Sequence, residues 1–251
     1  MVQRVLRIAT LNIHKGVTSI NSRLILHQQR ELIRHLQADI VFLQEVCGAY
    51  QHHQRRPAHG GDASQHEFMA DAMWNDFAYG KNAVYPAGHH GNAILSKYPI
   101  VQSDNIDISA HSIEQRGMLH CQIRIPGWER DLHCICVHLG LFARWRRSQL
   151  FAVRERIVSL MPPQAPLIIA GDFNDWRVKA GQVLAEGMHL REVFEQVHGK
   201  SARSFPAMLP MFRLDRIYVR GFQVQQVEVH GATAFSRVSD HAALSASLVR
   251  V

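Results

Sequence analysis

Short apolar runs that end on a single polar side chain constrain the fold of this chain more than any other feature. Leu167-Ile-Ile-Ala170 passes through Gly171 to Asp172, Phe173 and Asn174, and Asp39-Ile-Val-Phe-Leu-Gln-Glu45 is apolar almost until Glu45. Asp131 to Val137 runs into His138 in the same way. Runs of this length suit strands buried on both faces. A carboxylate at the end of such a strand is costly unless it is paired or bound to a metal. Ends of rigid elements are also where ligand-binding groups are held in place. Gly171 allows the backbone to run close to a neighbour, and Asp172 and Asn174 share one face if the chain stays extended. The competing reading of this segment is an Asx-rich turn that closes a strand.

The remaining elements follow from periodicity. Arg4 to Ile13 alternates as a first strand, with Thr10 and Asn12 on one face. Leu24, Ile25, Leu32, Ile33 and Leu36 recur at helical intervals between Ser22 and Leu36. A second amphipathic helix is expected to turn Phe68, Met69, Ala72, Met73 and Phe77 inward. Strands are then expected over 91–96, 100–108, 115–125 and 131–138. A helix over 143–161 carries Leu150, Val153, Ile157 and Leu160 as its buried stripe, and Arg144, Arg147 and Arg154 on its other side, which reads as a solvated face with a phosphate backbone or an anionic membrane surface as the alternative. Pro162 and Pro163 end it. Helices over 178–186 and 190–197 precede closing strands over 213–219, 222–230 and 242–249. No linker, compositional break or repeat interrupts the 251 residues, so one domain over 1–251 is expected. Strands and helices in this order suit two mixed sheets packed face to face with helices outside.

Charge and cysteine usage narrow the partners. With 28 Lys and Arg against 21 Asp and Glu, the net charge of +7 favours anionic partners such as nucleic acid or phospholipid headgroups. The chain has neither a signal-peptide pattern at Met1 to Arg7 nor an apolar run long enough to cross a bilayer, so a cytoplasmic protein is expected, with peripheral membrane association through the Arg-rich helix as a variant. Cys47, Cys121, Cys134 and Cys136 form no close-set disulfide framework. Cys134, Cys136 and His138 share a strand face, but a strand spaces them about 6–7 Å apart, which disfavours a single tetrahedral zinc ion. The histidines of the loop over 47–64, among them His52, His53 and His59, read as solvated.

Taken together, Asn12, Glu45, His138, Asp172, Asn174, Asp215, Asp240 and His241 almost all fall at strand edges and can line one rim. The set combines hard oxygen ligands for Mg2+ or Mn2+, amides able to donate to phosphate oxygens, and histidines beside carboxylates. Hydrolysis of a phosphate ester needs that mixture.

The chain resembles the endonuclease/exonuclease/phosphatase superfamily, which includes deoxyribonuclease I, abasic-site endonucleases, neutral sphingomyelinases and inositol polyphosphate 5-phosphatases. Eight motifs in order carry the resemblance: Thr10-Leu-Asn-Ile13, Leu43-Gln-Glu45, Gly91-Asn-Ala-Ile-Leu-Ser96, Arg116-Gly117, Val137-His-Leu139, Gly171-Asp-Phe-Asn174, Leu214-Asp-Arg-Ile217 and Ser239-Asp-His241. It implies a four-layered α/β/β/α sandwich and a hydrolase dependent on Mg2+ or Mn2+. Glu45 would be the principal metal ligand, with Asn12 nearby and Asp240 in support. Asp172 would orient or deprotonate the attacking water, and Asn174 would hold a phosphate oxygen. His241 would contact the phosphate with Asp215 behind it, His138 would serve the leaving group or scissile phosphate, and Arg116 would add a phosphate contact. Two departures argue against a dedicated abasic-site endonuclease: His14 stands where several of those enzymes carry an acid, and His138 stands where they carry tyrosine. The expected function is a nuclease-like phosphodiesterase, the alternative a lipid, phosphoinositide or small-molecule phosphatase or phospholipase. A non-catalytic anion-binding scaffold is disfavoured because no key carboxylate or histidine is missing. Ser204-Phe-Pro206, the 47–64 loop and the Arg-rich helix fall where substrate-selecting elements would lie.

Overall fold

The apolar runs form the centres of two sheets built on one plan. β1 (Val5–Asn12) and β2 (Ile40–Cys47) pair in parallel, joined by α1 (Ser22–His35). In the second sheet β7 (Leu132–His138) and β8 (Leu167–Asp172) pair in parallel, joined by α3 (Ala143–Leu160), after α2 (Gln65–Ala70) earlier in the chain. Antiparallel strands flank each central pair. β3 (Asp76–Tyr85) and β4 (Gly88–Ser96) extend the first sheet beyond β2. β5 (Ile100–Asp107) and β6 (Gly117–Ile123) extend the second beyond β7. β9 (Arg191–Glu192) and β10 (Asp215–Arg220) lie beyond β8, and β11 (Phe222–His230) and β12 (Ala243–Arg250) lie beyond β1. The six-stranded sheets therefore run β11-β12-β1-β2-β4-β3 and β5-β6-β7-β8-β10-β9. The computed structural model describes residues 4–16, 22–48, 64–70, 73–85, 88–177, 179–185, 187–231 and 238–251. Most of the expected 47–64 loop, the Leu24 side chain and positions 178 and 186 lie outside them.

Three apolar layers hold this arrangement together. Leu6, Ile8, Phe42, Cys134, Cys136, Ile168 and Ile217 fill the space between the sheets. Ile33 and Leu32 of α1 cover the outer face of the first sheet, and Leu150, Val153 and Ile157 of α3 cover that of the second. The two sheets flanked by helices are the four-layered sandwich implied by the sequence. Leu167, Ile168 and Ile169 are fully buried, each worth roughly 1.5–3 kcal/mol of apolar burial, so the strand that delivers Asp172 is firmly seated.

Several boundaries differ from the sequence reading. Of the helix expected to reach Phe77, α2 is described over Gln65–Ala70 and Ala72 lies outside the described residues, while Phe77 lies in edge strand β3, partly exposed. Leu160 is exposed, whereas Arg146 and Gln149 are buried on α3. Arg146 donates to the carbonyls of Gly140 and Leu141, and Gln149 accepts from the Gly140 N–H. The inward face of α3 thus ends in polar groups that tie down the loop after His138. In place of a helix over 190–197, the chain makes β9 and then α5 (Val193–His198), capped by the Glu192 carboxylate. The helix expected over 178–186 is α4 (Ala180–Ala185).

Candidate active site

Strand register assembles the site. His138 pairs with Asp172 across β7 and β8, and Asp172 pairs with Asp215 across β8 and β10, so the three form a row at one end of the second sheet. Asn12 ends β1 in the facing sheet, and its Nδ2 donates across the gap to Asp172 Oδ2 at 3.2 Å. Gly171 lets β8 run close against β7: it has φ +146°, and a Cβ there would meet the Val137 carbonyl oxygen at 2.0 Å. Buried Phe173 then anchors the turn, donating its N–H to Leu214 and packing its ring on Tyr218.

Gly171-Asp-Phe-Asn174 closes its strand in a turn and also brings Asp172 beside Asn12, His138 and His241. Asn174 is not extended; its φ is +48°, and its N–H donates to Asp172 Oδ1 at 2.8 Å in an Asx-type turn. Its side-chain amide donates to the Leu139 carbonyl at 2.9 Å. That use of Oδ1 leaves Asp172 Oδ2 turned toward the two histidines, 3.5 Å from His138 Nε2 and 3.8 Å from His241 Nε2. Burial raises the Asp172 carboxyl to about 6, opposed by the His241 charge and reinforced by Asp215.

The two histidines are held in opposite states. His241 Nδ1 lies 2.8 Å from Asp215 Oδ2. Burial alone would strip its proton, but Asp215 and Asp172 outweigh burial and lift His241 to about 10, an imidazolium across the ordinary pH range. His138 is pushed well below its usual value, first by burial and then by Arg116 and His241. Arg116 Nη1 stands 3.4 Å from His138 Nδ1. Because a guanidinium only donates, Nδ1 accepts and the proton of neutral His138 sits on Nε2, toward Asp172.

Glu45 reaches the rim through a distortion of its strand. The β2/β4 register shifts between Leu43 and Val46, and Glu45 adopts φ +56°. A non-glycine residue in that region is strained, and such strain collects at functional sites. The bulge carries the half-buried carboxylate to 3.4 Å from Asn12 Nδ2. Asp240 is exposed and pairs with His14 at 3.5 Å, and the His14 N–H donates to Asn12 Oδ1 at 3.0 Å.

Three further residues support the site: Glu114, which the sequence did not single out, and Ser239 and Ser204, which stood in named segments without a role of their own. Glu114 binds Arg116 at 3.0 Å and accepts from the Leu141 N–H at 3.1 Å. Ser239 donates to the Asn12 carbonyl at 2.6 Å and accepts from the His241 N–H at 3.1 Å. Ser204 accepts from the Asp215 N–H at 3.2 Å. All lie outside the named strands and helices, where polar residues carry no periodic signal.

The donor set suits a hard cation on the Glu45 side of the site. Ligand atoms of Asp172, Asp215 and His241 lie within 4.8 Å of one another. However, an imidazolium donates at both nitrogens and has no lone pair for a metal. The carboxylate of Glu45 beside the Asn12 amide offers the oxygen chemistry that Mg2+ and Mn2+ prefer. The thiols of Cys134 and Cys136 are buried between the sheets and pushed up by that burial, Cys136 to about 12, which favours the neutral thiol form of small core residues.

Comparison with known proteins places this fold among deoxyribonuclease I-like sandwiches. The human nocturnin catalytic domain with bound sulfate superposes with a TM-score of 0.77 at 17% identity, over 98% of this chain and 94% of that one. An endonuclease/exonuclease/phosphatase from Bacteroides vulgatus gives 0.76 at 17% identity, over 99% and 100%. The Endonuclease/Exonuclease/phosphatase family model matches residues 9–241, and the chain belongs to that family. It is 46% identical over 242 residues to the protein YbhP of Escherichia coli K12, covering 96% of this chain and 95% of that one.

Proposed function

We propose that residues 1–251 form one catalytic domain of a cytoplasmic, divalent-metal-dependent hydrolase of phosphate esters acting on diesters. The observation that carries this reading is the environment of Asp172 Oδ2: one buried carboxylate oxygen facing an amide, a neutral histidine and a charged histidine. Asp172, raised toward neutrality by burial, takes the proton of the attacking water at Oδ2. Asn12 and the Asn174 N–H fix its orientation. His241 donates from Nε2 to a phosphate oxygen, and Asp215 holds its other nitrogen and its charge. His138 donates from Nε2 near the leaving oxygen, and Arg116 behind it adds positive charge. Asn174 keeps one amide hydrogen for a phosphate oxygen. Glu45 and Asn12, with Asp240 in support, would hold Mg2+ or Mn2+, which supplies neutralisation of the charge that develops on the phosphoryl oxygens.

The test is hydrolysis of a soluble aryl phosphodiester, DNA, RNA, phosphoinositides and phospholipids with Mg2+ or Mn2+, repeated with Asp172→Ala and His241→Ala. Each substitution is expected to lower turnover by about 100-fold to 10,000-fold while the protein stays folded. Wild-type protein inert on every ester, or variants as active as wild type, would overturn the proposal.

A further inference from the structure

Two groups of exposed apolar side chains stand on either side of Asp172, each joined to it by a short chain of contacts. On one side Arg116 reaches His138, and Glu114 links Arg116 to the Leu141 backbone. This hub is flanked by Ile113, which is 84% exposed, and by Leu141 and Phe142, 55% and 62% exposed. Phe142 packs edge-on against Trp145, which stacks on His111. On the other side the ring of Phe205 lies 5.1 Å from that of His241. Trp176 packs between Phe205 and Phe212, and beyond them project Met208, Leu209 and Met211, with Leu209 70% exposed.

Single exposed apolar residues are ordinary, but two clusters bracketing one site mark a surface that meets an apolar partner. Both rims are cationic. Leu141 to Arg147 reads Leu-Phe-Ala-Arg-Trp-Arg-Arg, with Arg144 and Arg147 exposed. Exposed Arg177 and Lys179 follow Trp176, and no acid occurs between Arg203 and Arg213. Aromatic rings beside arginine would also suit single-stranded nucleic acid, whose bases stack on them. Ile113, Leu141, Met208, Leu209 and Met211 offer no stacking face, however, and gain instead by entering an acyl layer. Tryptophan and arginine are the residues that settle at headgroup level, and the positive rims complement anionic headgroups.

We propose that this face docks on an anionic phospholipid bilayer and that the ester presented to Asp172 belongs to a lipid headgroup. The substrate half of the proposal rests on the hydrolase reading; the docking half does not. Binding is therefore measured with Asp172→Asn protein, sedimented with vesicles of phosphatidylglycerol or of phosphatidylcholine alone. It is expected to bind the anionic vesicles and not the neutral ones. The pairs Leu141→Ser with Phe142→Ser and Met208→Ser with Leu209→Ser should each weaken that binding by about tenfold or more, with circular dichroism unchanged. If a pair fails to fold, the singles Phe142→Ser and Leu209→Ser carry the test. In the Asp172 background, the ratio of phosphatidylglycerol to aryl phosphodiester turnover should fall in parallel. Vesicle binding without hydrolysis of any ester would support docking and sink the hydrolase reading. Absence of vesicle binding, indifference to the rim substitutions, or binding of single-stranded DNA or RNA in place of vesicles would overturn the docking proposal.

Discussion

Asp215 Oδ2 lies 2.8 Å from His241 Nδ1, and both residues are buried at the end of the row that contains Asp172. Against the effect of burial, the two carboxylates keep His241 protonated up to about 10, while Asp172 is itself raised to about 6. On the proposed chemistry, turnover needs Asp172 ionised and His241 charged, so the pH–rate profile should be bell-shaped between those values. Asp215→Asn removes the nearest charge and should draw the alkaline limb down toward an ordinary histidine value. The same pair contributes stability. His241 is raised on folding, so its contribution is complete below about 6.5 and is lost as pH rises through about 10. Unfolding temperature should decline across that window in wild type and decline less in His241→Gln. An unshifted alkaline limb in Asp215→Asn would remove the pair from the mechanism.

Gly171 should be nearly irreplaceable. Gly171→Ala would force a left-handed-side φ on a residue with a side chain and drive its Cβ into the Val137 carbonyl, which is backbone and cannot rotate away. The expected cost is about 3 kcal/mol, read by denaturant unfolding. Activity should fall with it, because β7 and β8 carry His138 and Asp172 side by side. An alanine variant as stable as wild type would mean that this approach is looser than described.

The strands that carry the site were legible because their chemistry is written into periodicity. Leu167 to Ala170 cannot be anything but buried, and whatever polar group follows must sit at an edge. The helix extended to Phe77 failed for a related reason: Phe68, Met69, Met73 and Phe77 mimic helical spacing, whereas Phe77 belongs to a strand paired on one side only. Such pairing is a non-local event that propensity does not record. At the site, residue types were legible but geometry was not. Asn174 in an extended register would have shared a face with Asp172; the Asx-type turn instead divides the two Asp172 oxygens between structure and site. Glu114 gave no signal, and Ser239 and Ser204 stood in named segments without their roles being readable, since a polar residue that binds a backbone group looks like any other polar loop residue.

The strain at Glu45 separates stability from function. A residue at φ +56° costs about 1–2 kcal/mol that glycine avoids. Glu45→Gly should therefore raise the unfolding free energy by about 1 kcal/mol while abolishing turnover. Mg2+ should stabilise wild type by about 2.7 kcal/mol at one hundred times its dissociation constant, and the glycine variant should lose that stabilisation. A Glu45→Gly protein that still gains thermal stability from Mg2+ would place the ion elsewhere.

Arg116 spans two partners through separate nitrogens, Nη1 toward His138 and Nη2 on Glu114, so the planar guanidinium sets their spacing. A lysine has one charged nitrogen and cannot meet both. Arg116→Lys should therefore behave like Glu114→Gln, each lowering kcat/KM by roughly 10–100-fold, the range seen when a group that orients a site residue is removed. Glu114→Gln should cost little stability, because the side chain keeps an acceptor for the Leu141 N–H. It leaves the Arg116 charge without its carboxylate, so the two changes combined should lose little more than either alone. Steady-state kinetics of the two single variants and the double variant decide this. Full additivity would mean that Glu114 and Arg116 act independently, and that the chain from Leu141 through Arg116 to His138 is not one unit.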